Sequence, residues 1–435
     1  MKKIELSKLD INVYTEILDN GLEIYLVPFE DRKSYFITYA TKYGSTTTEF
    51  KPYGFKNYEK VPNGVAHFLE HKMFEQENGE NPFEFFSKSG SYVNASTGFE
   101  NTRYICSGTN NFEENLKYLI NFVNTPYFTD SNVEKEKGII IEELNMYKDD
   151  PESVLDDLSR KSVFNKDNHR IDIGGEVEDV ISIKKEDLYL CYENFYSPKN
   201  MFVLIVGNID VSKTLDILKD SFKNRKNKYK ELPEIKEIDE EYKVFKKREV
   251  RHFNVEVPKV SYNLKLRIKD FEIEDKFILD CHLNIILKSL FGSTSLFHEK
   301  SLEEELFSNY YYGFDHVGEY IIIDLVFESK KINELLKYLE ETLKTRKNIL
   351  NESEFDRAIK VSISNKIRSS CYIDSISSAI YSDLINYDKI IDNKLDLLRK
   401  LKYQDTLKVS NSINIDNNSI VCLVPKDYKD FKINI

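Results

Sequence analysis

The chain has no long apolar run, no cysteine framework and no excess of positive charge among its 435 residues. No stretch approaches the roughly 20 apolar residues that a membrane-spanning helix needs, so we expect no membrane span. Lys2 and Lys3 are not followed by an apolar segment, so we expect no signal peptide. The five cysteines are odd in number, scattered and without a Cys-x-x-Cys pair. This pattern indicates reduced thiols, mostly in the core, and a cytoplasmic location.

The missing positive charge also limits the possible partners. A net charge of −12 argues against nucleic acid as a partner, because phosphate recognition needs a basic surface. The acidity leaves two interpretations open, a solvated acidic surface, which we favour, and a basic peptide substrate. The chain is 41% apolar and 31% charged, which is typical of a globular protein.

The order of strand and helix signals in the first half recurs in the second half. Strand-like Lys259–Lys269 repeats Ser34–Tyr43, and Ile420–Val424 repeats Phe202–Val206, at an offset of about 220 residues. A repeat of this length indicates a duplicated domain. We therefore predict an α+β fold of two tandem homologous α/β-sandwich domains, with mostly antiparallel sheets and helices. The predicted boundaries are 1–222 for the first domain, 223–246 for a charged linker and 247–435 for a second domain without a metal site.

The chemical signal lies in the segment Asn63–Phe74, which has a helical pattern. It contains His67-Phe68-Leu69-Glu70-His71. His67 and His71 are spaced i, i+4, so both project from one helix face, where two imidazoles can bind one metal. Glu70 lies on the same side and is placed to act as a general base on a metal-bound water.

A catalytic zinc commonly has three protein ligands, so a third must come from elsewhere. The predicted helix Ser131–Lys148 carries Glu136 and Glu143, which lie on one face because they are seven residues apart. The apolar run Ile139–Ile141 predicts that this helix is mostly buried, and a buried carboxylate needs a metal or a cation. Glu143 is the predicted third ligand, and Glu136 is predicted to orient a ligand histidine.

Other interpretations of the motif remain open. Two surface histidines on a polar helix would give the same spacing, but apolar Val65 and Ala66 precede the motif and indicate burial. A metal-binding protein without hydrolysis would have no use for a buried base such as Glu70. His169 follows an Asp-Asn loop, and we interpret it as structural.

Further motifs reveal a resemblance to a known family. They are Gly64–Phe74, Asn94–Thr97, the pair Glu136 and Glu143 followed by Asp149-Asp150-Pro151, His169-Arg170 with Gly174-Gly175, and Asn194–Met201. Together they resemble the insulinase/pitrilysin family of zinc metallopeptidases, which carry the inverted H-x-x-E-H motif. The resemblance implies two homologous halves that form a half-shell, two half-shells around a peptide-cutting chamber, and Zn²⁺ as cofactor.

The resemblance also assigns roles to residues. It implies that His67, His71 and Glu143 bind zinc and that Glu70 is the general base. Asn94 and Ala95 would lie on the strand that receives the substrate backbone, where an extended peptide adds to a sheet edge. The chain length resembles the two-subunit branch of the family, which includes mitochondrial and bacterial processing peptidases.

One expected feature of a catalytic pair is missing. In the family, the second half of a pair supplies an Arg and a Tyr, seven residues apart, whereas this chain has Ser301 and Ser308 there. No arginine lies between Arg267 and Arg346. We therefore expect a heterodimer with a paralogous subunit that supplies both groups. A homodimeric peptide-degrading enzyme that uses Asn309 with a tyrosine, and a subunit that holds peptides without cutting, are the alternatives. The substrate, whether a leader segment or peptides in general, stays open.

Overall fold

The computed structural model describes residues 1–428 and residue 433. The strands are β1 Lys2–Leu6, β2 Ile11–Ile17, β3 Glu23–Pro28, β4 Tyr35–Thr41, β5 Glu49–Lys51, β6 Glu59–Lys60, β7 Tyr92–Thr97, β8 Thr102–Gly108, β9 Met201–Gly207, β10 Glu234–Ile235, β11 Arg248–Phe253, β12 Lys259–Arg267, β13 Asn309–Val317, β14 Tyr320–Glu328 and β15 Asn418–Pro425.

The α-helices lie between the strands along the chain, in a similar order in the two halves. They are α1 Val65–Met73, α2 Pro82–Lys88, α3 Phe112–Asn124, α4 Asp130–Asp149, α5 Pro151–Val163, α6 Val177–Ser182, α7 Lys185–Phe195, α8 Val211–Phe222, α9 Lys276–Phe291, α10 Leu296–Glu303, α11 Ile332–Ile349, α12 Glu352–Ser369, α13 Ile373–Tyr387, α14 Lys394–Lys400 and α15 Tyr403–Ser412. Within the described part of the chain, no helix is long and apolar enough to cross a membrane.

The chain forms two compact units, and each contains one large sheet. The first unit comprises Met1–Asn145, Ile171–Glu237 and Ile367–Asn393. Its seven-stranded sheet has the order β1-β2-β3-β9-β4-β8-β7, in which β3 and β9 are parallel and the other neighbours are antiparallel. A small sheet of β10, β5 and β6 belongs to the same unit.

The second unit repeats this topology. It comprises Met146–Arg170, Ile238–Lys366 and Lys394–Ile435. Its sheet has the order β11-β15-β12-β14-β13, with β11 and β15 parallel and the rest antiparallel. Both the strand order and the one parallel pair match β3-β9-β4-β8-β7 of the first unit. The predicted α+β fold with two homologous, mostly antiparallel domains is therefore confirmed.

Each of the two large sheets packs against apolar side chains on both faces, and a mostly apolar strand inside each sheet contributes to both cores. In β9, Val203 and Ile205 face the core formed with α1 and α3, whereas Leu204 and Val206 face the opposite core. A strand buried on both sides reads as a continuous apolar run, without alternation. The same division occurs in β15, where Cys422 and its neighbour Leu423 belong to different cores.

The helix that covers the second face of each sheet comes from the other half of the sequence. In the first unit, Ile376 and Ile380 of α13 pack against β9 and its neighbours. In the second unit, Val154 and Leu155 of α5 pack against β15. The units therefore cross the predicted boundaries of 1–222, 223–246 and 247–435 in these two segments. The physical reason is that each sheet has a second apolar face, and the helix that covers it lies beyond the predicted boundary.

Several local predictions can be compared with the structure directly. Asn81 and Asp150, each followed by a proline, cap α2 and α5, and their side chains accept the N–H groups of Phe83 and Ser153. The prediction that α4 is mostly buried is wrong, since Ile139 is 48% exposed. The five cysteines are free, and all except the exposed Cys371 lie in the core.

Candidate metal centre

The helix α1 begins at a position that only glycine fits. Gly64 caps the helix with a left-handed φ of 79°, and a Cβ there would lie 2.1 Å from the carbonyl oxygen of Gly174. The apolar side chains of Val65 and Phe68 then anchor the helix in the core. The result is a short helix whose polar face is held in a fixed direction.

The two histidines of α1 lie side by side, as their spacing predicts. The ring centroids of His67 and His71 are 4.6 Å apart. Glu143 of α4 completes the group, with its Oε2 3.8 Å from His67 Nε2 and 3.5 Å from His71 Nε2. Among the described residues, these three are the only ones found to offer a set of ligand atoms for one ion, all within 4.8 Å of one another.

These separations can be compared with the geometry that zinc requires. With nitrogen and oxygen ligands at about 2.1 Å, a tetrahedral zinc separates neighbouring ligand atoms by roughly 3.4 Å. The distances from Glu143 Oε2 to the two imidazole nitrogens, 3.8 and 3.5 Å, are close to this value. The donor set of two imidazoles and one carboxylate also suits zinc. The residues therefore fit this metal.

The pKa values of the two histidines shift in opposite directions because their surroundings differ. Burial, followed by the neighbouring charge of His71, lowers the pKa of His67 to about 4, so this imidazole is neutral at neutral pH. Burial also acts to lower the pKa of His71. The hydrogen bond with Glu136 and the charge of Glu70 outweigh this effect, and the pKa of His71 is raised. A carboxylate-rich site of this kind attracts a cation.

Glu136 lies where the sequence predicts an orienting carboxylate. Its Oε1 is 3.1 Å from His71 Nδ1. A hydrogen bond at Nδ1 leaves Nε2, which faces Glu143, as the nitrogen available to a metal. Burial acts to raise the pKa of Glu136, but the hydrogen bond and charge of His71, together with the charge of Lys72, lower it.

Glu70 is buried beside the three candidate ligands and has a single described side-chain partner. The hydroxyl of Thr97 donates to Glu70 Oε2 at 2.7 Å. Burial raises the pKa of Glu70, although this hydrogen bond and the charge of His71 partly oppose the effect. One carboxylate oxygen is therefore fixed by Thr97 from the neighbouring strand β7.

His67 is held differently from His71. Its Nδ1 is buried and has no hydrogen-bond partner within residues 1–428 and 433. Gly174 lies against this nitrogen, and a Cβ there would be 3.5 Å from Nδ1 and 2.7 Å from Leu144 Cδ2. Packing, and not a hydrogen bond, therefore fixes this imidazole.

The predicted substrate-binding residues lie on the edge strand of the first sheet. Among the described strands, β7 pairs only with β8. Asn94 is exposed, its Nδ2 donates to the Tyr92 hydroxyl at 2.8 Å, and its Oδ1 accepts the Ala95 N–H at 2.9 Å. The Ala95 N–H thus points away from β8. The role of Asn94 and Ala95 in substrate binding stays a prediction.

The two serines that stand in place of Arg and Tyr lie in the second unit. Ser301 is in α10 and is wholly buried, at 0% exposure. Ser308 is exposed, and its hydroxyl donates to Glu328 Oε2 at 3.4 Å. Neither side chain carries a charge, so neither can stabilise a negative charge as a guanidinium does.

Three residues that shape the site have no role that the sequence alone predicts. Thr97 lies in the motif Asn94–Thr97, but its contact with Glu70 depends on how α1 meets β7. Gly174 packs against His67 across more than 100 residues of sequence. Lys72 gave the one usable signal, since a lysine inside an apolar helical segment needs an acidic partner.

Comparison with known proteins identifies the family. The family model described as Insulinase (Peptidase family M16) matches residues 56–175, and the one described as Peptidase M16 inactive domain matches residues 182–362. The uncharacterized zinc protease YmfH of Bacillus subtilis (strain 168) is 39% identical over 323 residues, which are 74% of this chain and 74% of that protein.

Solved structures agree with this assignment. An M16-like peptidase from Alicyclobacillus acidocaldarius is 27% identical, with a TM-score of 0.89 over 97% of this chain and 100% of that chain. Pitrilysin shares the fold at 15% identity, with a TM-score of 0.77 over 100% of this chain and 47% of pitrilysin. The candidate ligands His67, His71 and Glu143 lie within the residues matched by the insulinase model and outside those matched by the inactive-domain model. The chain belongs to the insulinase/pitrilysin family of peptidases.

Proposed function

We propose that the protein is a zinc-dependent metalloendopeptidase. The observation that carries the proposal is the meeting of His67, His71 and Glu143 around one point, with the buried carboxylate of Glu70 beside them. The names of relatives support it, since YmfH of Bacillus subtilis is described as a zinc protease. We assign zinc binding to the three ligands and the role of general base to Glu70.

The chemistry follows from the placement of these side chains. Zinc bound there would supply a Lewis acid and make a water molecule more acidic. Glu70 would take the proton of the attacking water and then pass it to the leaving nitrogen. The Thr97 hydroxyl donates to Glu70 Oε2 at 2.7 Å, which holds the carboxylate in position for the proton transfer. Glu136 fixes His71 through Nδ1, so that the ligand nitrogen stays in place.

We further propose that substrates bind as extended segments along β7. An edge strand offers unpaired backbone groups, and a peptide that pairs with them gains affinity without much sequence specificity. The Ala95 N–H donates to Asn94 Oδ1 in this structure. A backbone carbonyl of the substrate would replace the Asn94 side chain as the acceptor. Peptides, unstructured segments and leader segments all meet this requirement.

The proposal extends to the partner and the location. Ser301 and Ser308 lack the charge that the family supplies in the second half of a catalytic pair, which supports a heterodimer with a paralogous subunit around a shared chamber. A homodimer that degrades peptides in general is the second candidate, supported by the exposed Asn309 and the nearby partly exposed Tyr310. A cytoplasmic location is supported by the five free cysteines.

The substitution Glu70→Gln tests the proposed activity. It preserves size but removes the base, so we expect zinc to be retained while cleavage of unstructured peptides falls by roughly 10²–10⁴-fold. Glu142→Gln is the matched control, since Glu142 is an exposed residue of α4 next to Glu143, and it should leave the rate unchanged. Cleavage by Glu70→Gln at the wild-type rate would show that Glu70 is not the base.

A further inference from the structure

Lys72 is a charged residue in the core of the first unit. It follows His71 directly in α1, and its side chain is 0% exposed. Its Nζ contacts the carboxylate of Glu75, donates to the Asn132 carbonyl at 3.2 Å and lies 3.8 Å from Glu136 Oε2. An ammonium has three protons to donate. The Glu75 carboxylate and the Asn132 carbonyl each accept one, and Glu136 Oε2 lies at ion-pair distance, beyond hydrogen-bond reach.

Glu136 connects this lysine to the candidate metal centre. One of its oxygens, Oε2, faces Lys72 Nζ, and the other, Oε1, lies 3.1 Å from His71 Nδ1. The Glu136 side chain is only 14% exposed. A buried carboxylate without a cation is strongly unfavourable, so the lysine helps to keep Glu136 in place.

We propose that Lys72 is a positioning residue of the metal centre. By holding Glu136 Oε2, it aims Oε1 at His71 Nδ1 and thereby keeps His71 Nε2 directed at Glu143, where the metal ligands meet. The inference rests on the proposed zinc site. The alternative is that Lys72 only connects α1 to α4 through the Asn132 carbonyl. Removing Lys72 would then lower stability, and any effect on zinc affinity would be the same with or without Glu136.

A double-mutant cycle on zinc affinity separates these roles. The dissociation constant of zinc is measured by competition with a chelator for the wild type, Lys72→Met, Glu136→Gln and the double variant. We expect Glu136→Gln to weaken binding by about 10–100-fold, as the loss of a partner of a ligand histidine does. Lys72→Met should weaken it by roughly tenfold, and the double variant should match Glu136→Gln within about threefold.

Two results would overturn the proposal. One is an unchanged zinc affinity in Lys72→Met, and the other is a double variant whose loss is the product of the two single losses. If Lys72→Met does not fold, the double variant, which removes both buried charges, is compared with Glu136→Gln alone. Equal zinc affinity then supports the proposal, and a further loss beyond about threefold refutes it.

A matched control and a reference variant complete the experiment. Lys137→Met removes a mostly buried lysine of α4 that pairs with Glu134 at 3.0 Å, and it should change zinc affinity by less than about twofold. His71→Ala separates the two levels of inference. Zinc retention in His71→Ala would refute the zinc site itself, whereas loss of zinc there without coupling between Lys72 and Glu136 would refute only the positioning role.

Discussion

At the residue scale, the first measurable property is the metal content. We expect about one zinc per chain in the wild type and almost none in His71→Ala, because two remaining ligands do not hold a catalytic zinc. Elemental analysis of the purified proteins measures both values. His252→Ala is the control, since His252 is an exposed residue of β11 in the second unit. Full zinc content in His71→Ala would contradict the ligand assignment.

The carboxylate of Glu136 is shared between two neighbouring side chains of the candidate metal centre. The site holds two imidazoles and three carboxylates close together, and Glu136 contacts two of its neighbours at once, His71 and Lys72. Removing the Glu136 carboxylate takes one partner from each of these two neighbours. Effects of substitutions inside this group should therefore not be additive, in contrast to substitutions at distant positions.

At the element scale, the edge strand β7 carries a prediction about substrate binding. Ala95→Pro removes an N–H that points away from β8, and proline is tolerated at such edge positions. We expect the variant to keep its fold and zinc, while kcat/KM falls about tenfold because one backbone hydrogen bond to the substrate is lost.

Two measurements make the test of β7 decisive. Ser96→Ala alters the next residue of the strand without removing a backbone donor, so its kcat/KM should stay close to that of the wild type. Thermal unfolding of Ala95→Pro shows whether the sheet is intact. An intact Ala95→Pro with wild-type kcat/KM would mean that substrates do not pair with β7 at this position.

The sequence predicts those features of the fold that depend on residues close together in the chain. The Asp-Pro pair at Asp150 predicts the start of α5, and the i, i+4 histidines predict the shared face of α1. The packing partners could not be predicted in this way. The sequence predicts Ile139 to be a core residue, yet it lies on the exposed side of α4. Only one face of that helix packs into the core of the first unit. The roles of Lys72 and Thr97 likewise depend on contacts between distant elements.

At the scale of the whole molecule, the duplication is complete in topology but not in chemistry. The two large sheets share a five-strand order, and α5 and α13 each pack on the sheet formed mainly by the other half of the sequence, so each compact unit depends on both halves. A truncation near residue 223 would therefore expose an apolar sheet face in the first unit, since α13 would be lost. The three proposed metal ligands belong to the first unit.

We expect the chain on its own to be a poor enzyme, because Ser301 and Ser308 of the second unit stand where the resemblance implies an Arg and a Tyr. Ser301 is wholly buried and no arginine lies between Arg267 and Arg346, so nothing in this stretch supplies a guanidinium to a developing oxyanion. Missing oxyanion donors typically cost about 10²–10³-fold in rate.

We expect the isolated chain to cleave unstructured peptides more slowly by this factor than a mixture with a paralogue that carries the Arg and the Tyr. Substituting that arginine of the paralogue is the control and should abolish the gain. Equal, rapid turnover by the isolated chain would favour the homodimer, with Asn309 and a tyrosine as donors.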